Sequence, residues 1–210
     1  LEIVKALIAA SADINQANNY QGFPLFFATK KGHLDIVKAL IAAGADVNQT
    51  LYGGSSLYIA TLKGHFNVIV RLLMAGCERD GLPSTVSEEL KAFIKGTQGW
   101  TKLHYASYMG DCDLVSSVLH EGVDIDFTAE RGTEKYKCTP IGAVTIAGHS
   151  SLLDKALDRE KIAKVISLLH VAMTPFPALP SKMLKTRYKN ARTGQSTRFR
   201  GASEVTIMAL

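Results

Sequence analysis

The chain has 210 residues, 47% of them hydrophobic, and a formal net charge of +5. No apolar run approaches the roughly 18 residues that a membrane-spanning helix needs, which argues against a transmembrane protein. The three cysteines form no CxxC or Cys/His pattern, which argues against a zinc site or a disulfide scaffold and favours free thiols in a reducing compartment.

The first ten residues recur further along the chain. Residues 1–10 read LEIVKALIAA, and residues 34–43 read LDIVKALIAA, 33 positions later. Both copies continue into an Ala-Asp-(Ile/Val)-Asn-Gln segment, at 12–16 and 45–49. A period of this size is typical of solenoids, in which a helix pair cannot bury its apolar face alone and stacks on its neighbours. The chain begins inside this pattern without an initiating Met, so we expect it to be part of a longer protein.

Four further stretches carry one motif in register. They read FPLFFA at 23–28, SSLYIA at 55–60, WTKLHYA at 100–106 and CTPIGA at 138–143. A Gly-His or Gly-Asp step follows them at 32–33, 64–65, 110–111 and 148–149. The pattern resembles the ankyrin-repeat family, whose consensus runs Gly-x-Thr-Pro-Leu-His-x-Ala, then Gly-His, then an apolar helix and Gly-Ala-Asp-Val-Asn. The resemblance covers residues 1–157.

This resemblance implies an all-α solenoid of helix-turn-helix repeats with β-hairpin loops, made of a partial first repeat and about four that follow. The residues agree with it physically, because Thr101 and Thr139 are suited to cap the starts of helices. Two insertions interrupt the repeats, near 78–96 and 128–137. The apolar spacing in the first insertion predicts a short extra helix that begins near Ser87.

The motif fades after residue 157. Residues 158–172 keep a helical apolar spacing and are predicted to form a capping helix for the last repeat. Residues 173–210 are punctuated by proline, and residues 181–210 hold seven basic residues against one acidic residue. This segment has three interpretations: a solvated linker, an electrostatic contact to an acidic partner, nucleic acid or anionic lipid, or part of a second domain.

The sequence offers no recognisable catalytic or metal-binding pattern. Four of the six histidines fall at repeat positions, where the family uses them to hold loops together by hydrogen bonds. Phosphate-binding, dinucleotide-binding, HExxH and GxSxG motifs are all absent from the sequence. We therefore expect a protein that is not an enzyme, with no catalytic residue, no metal and no other cofactor.

The resemblance also implies where a partner would bind. In ankyrin repeats the contacts usually come from the hairpin tips, the residue before the Thr-Pro step and the pair before Gly-His. Carried over by register, these positions hold large aromatic side chains and lysines, the usual composition of a binding hot spot. The predicted partner-binding residues are Tyr20, Lys30, Lys31, Tyr52, Lys63, Trp100, Tyr108, Met109 and Tyr136.

All of these residues are predicted to lie on an exposed concave face. We therefore expect alanine at Trp100, Tyr108 and Tyr52 together to abolish binding while the melting temperature changes little. The predicted function is protein–protein recognition by a rigid scaffold in the cytosol or nucleus. Two alternatives stay open. One is the substrate-recruiting part of a larger enzyme, or a bacterial effector acting in a host cell. The other is binding of nucleic acid or an acidic surface through the basic C-terminal segment.

Overall fold

The computed structural model describes residues 1–129, 133, 136–147 and 159–173. Within these residues the chain forms ten helices and one two-stranded antiparallel sheet. In chain order the elements are α1 (Glu2–Ala9), α2 (Pro24–Lys31), α3 (Leu34–Ala42), β1 (Thr50–Leu51), β2 (Gly54–Ser55), α4 (Ser56–Lys63), α5 (Phe66–Met74), α6 (Glu88–Gly96), α7 (Lys102–Met109), α8 (Cys112–His120), α9 (Pro140–Ala147) and α10 (Arg159–Met173).

Most of the helices pair as repeats. α2 packs on α3, α4 on α5 and α7 on α8, and a Gly-His or Gly-Asp step joins the two helices of each pair. The first helices of the pairs contact one another, α2 with α4 and α7 with α9, while α3 contacts α1 and α5. We call α2, α4, α7 and α9 the inner helices and α1, α3, α5 and α8 the outer helices. Over the described residues, this arrangement confirms the predicted all-α repeat fold.

Glycine makes the sharp turn between paired helices. Gly32 ends α2 with a φ of 73°, a left-handed conformation that glycine adopts without strain. A Cβ at Gly32 would also overlap the ring of His65 in the next repeat. His65 Nε2 lies 3.2 Å from the carbonyl oxygen of Lys30, and the nitrogen donates because a carbonyl oxygen can only accept. The Gly-His step therefore closes its own turn and contacts the preceding one.

Two threonines cap inner helices as predicted. At the start of α7 the N–H of Thr101 donates to His104 Nδ1 at 3.2 Å. The other ring nitrogen of His104, Nε2, donates to the carbonyl oxygen of Cys138 at 2.9 Å. In α9 the hydroxyl oxygen of Thr139 accepts the N–H of Gly142 at 3.3 Å. His104 therefore joins two successive repeats by hydrogen bonds, as the sequence predicted for histidines at this position.

Asparagine side chains join the other ends of the repeats. The side-chain oxygen of Asn15 accepts the N–H of Asp46 at 2.8 Å, and that of Asn48 accepts the N–H of Glu78 at 2.8 Å. Both asparagines belong to the recurring Ala-Asp-(Ile/Val)-Asn-Gln segment. Each one satisfies a backbone donor of the following repeat that no helix hydrogen bond would reach.

The first insertion folds into the short helix that the sequence predicts, α6. Ser87 caps this helix, since the N–H of Leu90 donates to its hydroxyl oxygen at 3.3 Å. Leu90, Phe93 and Ile94 recur at helical spacing and are all buried. They belong to the same core cluster as inward-facing side chains of α7 and α9. The apolar side of α6 therefore lies against α7, where the ring of Phe93 is 5.0 Å from that of Tyr108.

α10 occupies the region of the predicted capping helix. It packs against α8 and α9, and its Val165 and Leu169 are fully buried beside Leu103, Val115 and Val144. α10 relates to α8 and α9 as α5 relates to α3 and α4, so it stands in the place of the outer helix of a fifth repeat. That α10 ends the stack stays a prediction.

Two sequence predictions concern residues that are not described. The basic segment 173–210 lies outside the described residues except for Met173, and the insertion 128–137 is described only in part. Among the helices named above, none combines the length and the apolar character that crossing a membrane would require.

Candidate protein-binding surface

The first hairpin tip holds Tyr20 away from the core. Asn18 organises the turn, because its side-chain oxygen accepts the N–H groups of Tyr20 and Gly22, each at 2.9 Å. The N–H of Asn18 donates in turn to the carbonyl oxygen of Gly22 at 2.9 Å. Tyr20 is 77% exposed. The turn therefore presents the ring from a backbone whose shape is already fixed by its own hydrogen bonds.

The second hairpin tip holds Tyr52 in a costly conformation. Strand β1 pairs with β2 so that Leu51 lies opposite Gly54, which leaves Tyr52 and Gly53 as a two-residue turn. Both turn residues have positive φ, 49° and 78°, as in a type I′ turn, where Asn or Gly is favoured at the first position. A bulky residue there costs about 1 kcal/mol. Tyr52 is 81% exposed, so packing in the core does not offset this cost.

Helices α2 and α4 each add one exposed apolar side chain and one or two exposed lysines. Phe27 of α2 is 42% exposed and Leu62 of α4 is 45% exposed. Lys30, Lys31 and Lys63 are exposed in the last turns of the same two helices. We call this surface, together with the two tyrosines, the open inner face. Its members are Tyr20, Phe27, Lys30, Lys31, Tyr52, Leu62 and Lys63.

The charge of the open inner face is positive. Residues 14–34 and 47–66, which contain both tips and both helices, hold three lysines and no Asp, Glu or Arg. The acidic residues that precede these segments, Asp13 and Asp46, are engaged in turns, where their carboxylates accept backbone N–H groups at 3.0 and 2.9 Å. The lysines therefore have no carboxylate within their own segments to offset them.

The exposure expected for five of the predicted binding residues is observed. Tyr20, Lys30, Lys31, Tyr52 and Lys63 are all exposed. Their contact with a partner stays a prediction. Phe27 was not predicted because it occupies the unspecified position of the motif, between Phe26 and Ala28, which is not among the positions that usually contact partners.

The exposure expected for three aromatic residues is wrong. Trp100, Tyr108 and Tyr136 are buried, and Met109 beside them is partly buried. The ring of Phe93 on α6 lies 6.0, 5.0 and 5.7 Å from the rings of Trp100, Tyr108 and Tyr136. α6 thus fills the space that a partner would otherwise enter, and these three side chains belong to the core.

α6 also reaches toward the preceding repeat. Phe93 lies 5.4 Å from the ring of Phe66, the first residue of α5, and Phe66 lies 6.3 Å from the ring of Tyr108. At the end of α6, Gly96 approaches Tyr136 so closely that a Cβ would overlap the ring. The aromatic rings therefore join α5, α6 and α7 in one apolar cluster.

An arginine that sequence patterns did not single out fixes the end of α6. The guanidinium of Arg79 donates to the carbonyl oxygen of Ile94, to Thr97 Oγ1 at 3.1 Å and to the Tyr105 hydroxyl oxygen at 2.9 Å. Burial raises the pKa of Tyr105, so this hydroxyl is neutral and donates to the Thr97 carbonyl oxygen at 3.2 Å. The positive charge of Arg79 at the C-terminus of α6 also interacts favourably with the helix dipole.

Burial also shifts the pKa values of one histidine and two cysteines. Burial lowers the pKa of His104, and burial raises the pKa of Cys77 to about 12 and that of Cys138 to about 11. Both thiols are therefore protonated at neutral pH and are poor nucleophiles. Over the described residues, no three His, Cys, Asp or Glu side chains are grouped so as to hold a metal ion.

Comparison with known families agrees with this architecture. Residues 1–81 match the family of ankyrin repeats, in three copies. No curated protein matches the chain closely. The matched residues contain α1 to α5, and the helix pair α7 and α8 repeats the same arrangement beyond them. The matched copies make residues 1–81 a run of ankyrin repeats, and α7 and α8 repeat the paired-helix arrangement beyond them.

Proposed function

We propose that this chain is a protein-recognition module that binds its partner across the open inner face. Ankyrin repeats indicate an interaction module in general. The observation that carries the finer proposal is the exposure of Tyr20 and Tyr52 at neighbouring hairpin tips. The backbone of Tyr52 is strained, and because its side chain is exposed, packing in the core does not offset the cost of this strain. Backbone strain of this kind is concentrated at functional sites.

The composition of the surface supports the same proposal. The tyrosine rings offer large apolar area and a polar hydroxyl group, and they lose little side-chain entropy on binding. Phe27 and Leu62 add apolar area, and lysines flank them. An apolar centre with a polar rim is the usual anatomy of a protein interface. The internally bonded tip at Asn18 lowers the ordering cost of binding.

The position of α6 limits the extent of this interface. Because α6 lies over α7, where the ring of Phe93 is 5.0 Å from that of Tyr108, the proposed footprint lies on α2, α4 and the two tips that precede them. This footprint is smaller than the concave face that the sequence predicted. Helix α6 then acts as a fixed boundary at one side of the bound partner.

The test is a capture experiment with matched variants. Cytosolic and nuclear extracts would be passed over the immobilised wild-type chain, a Tyr20→Ser/Tyr52→Ser variant and an Ile3→Ser control. Ile3 is 78% exposed on the outer helix α1, so the control removes a similarly exposed apolar group elsewhere. We expect proteins that the wild type and the control retain and the double variant loses, measured by quantitative mass spectrometry.

Two results would overturn the proposal. Identical captures by all three chains would show that the tip tyrosines do not contact a partner. Equal losses from the double variant and from Ile3→Ser would show nonspecific adhesion to apolar side chains. Circular dichroism melting of each variant checks that the fold is retained, which we expect because the substituted side chains lie outside the core.

A further inference from the structure

The charge and the layout of the open inner face together narrow the chemistry of its partner. We infer that the face binds an acidic protein segment, whose carboxylates contact Lys30, Lys31 and Lys63 while one or two of its large apolar side chains contact the tip tyrosines. This inference rests on the proposed function and names the class of partner for the same surface.

Charge complementarity is the first argument. The segments that form the face contain three lysines and no acidic residue, and the three ammonium groups belong to exposed residues. A neutral partner would desolvate these groups without compensation, and a basic partner would be repelled. Carboxylates provide that compensation, and they also speed the encounter through long-range attraction.

The layout of the face is the second argument. Tyr20 and Tyr52 precede their inner helices, and the lysines occupy the last turns of the same helices, which are eight residues long. At 1.5 Å per residue, each helix between its tip and its lysines is about 12 Å long. An extended segment rises about 3.3 Å per residue, so it covers this distance in about four residues. The ligand should therefore carry carboxylates about four residues from its apolar anchors.

A protein segment fits the face better than a nucleic acid does. The face has lysines but no arginine, whereas bidentate contacts to phosphate favour arginine. Phe27 and Leu62 offer apolar contact that a phosphate backbone cannot use. The exposed tyrosines alone would not discriminate, because bases can stack on them.

The experiment is a selection from a random 16-residue peptide display library against the whole chain, followed by affinity measurements on the enriched peptides. We expect an enriched pool that is more acidic than the starting library, with aromatic or aliphatic residues about four positions from the carboxylates. A Lys30→Gln/Lys31→Gln/Lys63→Gln variant should bind these peptides about tenfold more weakly. The matched control is Lys5→Gln/Lys38→Gln/Lys102→Gln, which removes the same charge from exposed residues elsewhere and should change affinity by less than about twofold.

The outcomes separate this inference from the proposed function. Enriched peptides that are neutral or basic, yet lose affinity in Tyr20→Ser/Tyr52→Ser, would overturn the acidic partner and leave the binding face intact. Peptides that bind all variants equally, or a selection without enrichment, would overturn both. A single-stranded 20-nucleotide probe that binds more tightly than the best peptide, and depends on the three lysines, would replace the protein partner with a nucleic acid.

Discussion

Lys30 and Tyr108 occupy the same position in two inner helices, two residues before the glycine that ends each helix. Lys30 is exposed, and Tyr108 is fully buried. Phe27 and Tyr105 form a second such pair: Phe27 is 42% exposed, and Tyr105 is 1% exposed. Helices α2 and α7 therefore share a register and differ in what lies over them.

Much of the difference comes from the first insertion. Helix α6 places Phe93 over Tyr108 of α7, and Arg79 fixes the end of that helix. The repeat register decides the direction in which a side chain points. An element outside the repeat decides whether that side chain meets solvent or another apolar surface. An aromatic side chain is therefore exposed and a binding candidate at Phe27, whereas the aromatic side chain at the equivalent position, Tyr105, belongs to the core.

The largest effect on stability should come from truncating Phe93, the centre of the buried aromatic cluster. We expect Phe93→Ala to lower the free energy of unfolding by about 3–5 kcal/mol, because it leaves a cavity among Trp100, Tyr108 and Tyr136. Leu62→Ala on the open inner face is the control and should stay within about 0.5 kcal/mol. Urea denaturation measures both. Equal losses would erase the distinction between the open inner face and the buried aromatic cluster.

A smaller effect should follow from releasing the end of α6. Arg79→Met removes the donors to Ile94, Thr97 and Tyr105, and unpaired buried acceptors cost about 1–3 kcal/mol. Hydrogen exchange read by mass spectrometry should show faster exchange in α6 and unchanged exchange in α2 and α3. Lys95→Gln, an exposed substitution on the same helix, is the control. Unchanged exchange in α6 of the Arg79 variant would mean that the aromatic cluster alone holds the helix.

The free energy of unfolding should also depend on pH, because His104 is buried in α7. Burial depresses the pKa of His104 below its ordinary value of 6.5, so the unfolded chain takes up the proton first as the pH falls. The stability due to neutral His104 is complete above pH 6.5 and is lost as the pH falls from 6.5 through the folded-state pKa. Urea midpoints between pH 7.5 and pH 5 should therefore fall more steeply for the wild type than for His104→Gln. Parallel curves would assign the acid sensitivity to other groups.

The smallest effect, and one of opposite sign, is expected at the open tip. Tyr52→Asn replaces a strained residue with one that tolerates the left-handed conformation, so stability should rise by about 1 kcal/mol or less. Affinity for the partner should fall in the same variant, because the exposed ring is lost. Thermal melting and a binding titration measure the two effects. A variant that loses stability as well would mean that the Tyr52 ring packs on the fold.

The fold could be predicted because its signals are local. The recurrence of residues 1–10 at 34–43, the glycines between paired helices and the caps at Thr101 and Thr139 each depend on a few neighbouring residues. Helix α6 was also predictable, since Ser87 and an apolar spacing suffice to define it. These features needed no knowledge of how distant parts of the chain meet.

The location of α6 could not be predicted in the same way. Its contacts with Trp100, Tyr108 and Tyr136 connect an insertion to residues in other repeats, and a repeat consensus contains no rule for an insertion. One signal was available: Leu90, Phe93 and Ile94 form an apolar stripe that needs a surface to cover. The aromatic residues of the later repeats were the largest apolar group near it in sequence.

Hydroxyl-radical footprinting of the native chain, read residue by residue by mass spectrometry, tests the contrast between the open inner face and the buried aromatic cluster most directly. Tyr20 and Tyr52 should be oxidised rapidly, and Trp100 and Tyr108 should be protected until denaturant is added, because α6 covers them. Oxidation of Trp100 and Tyr108 in the native chain at rates comparable to that of Tyr52 would contradict this account and would restore the continuous aromatic binding face.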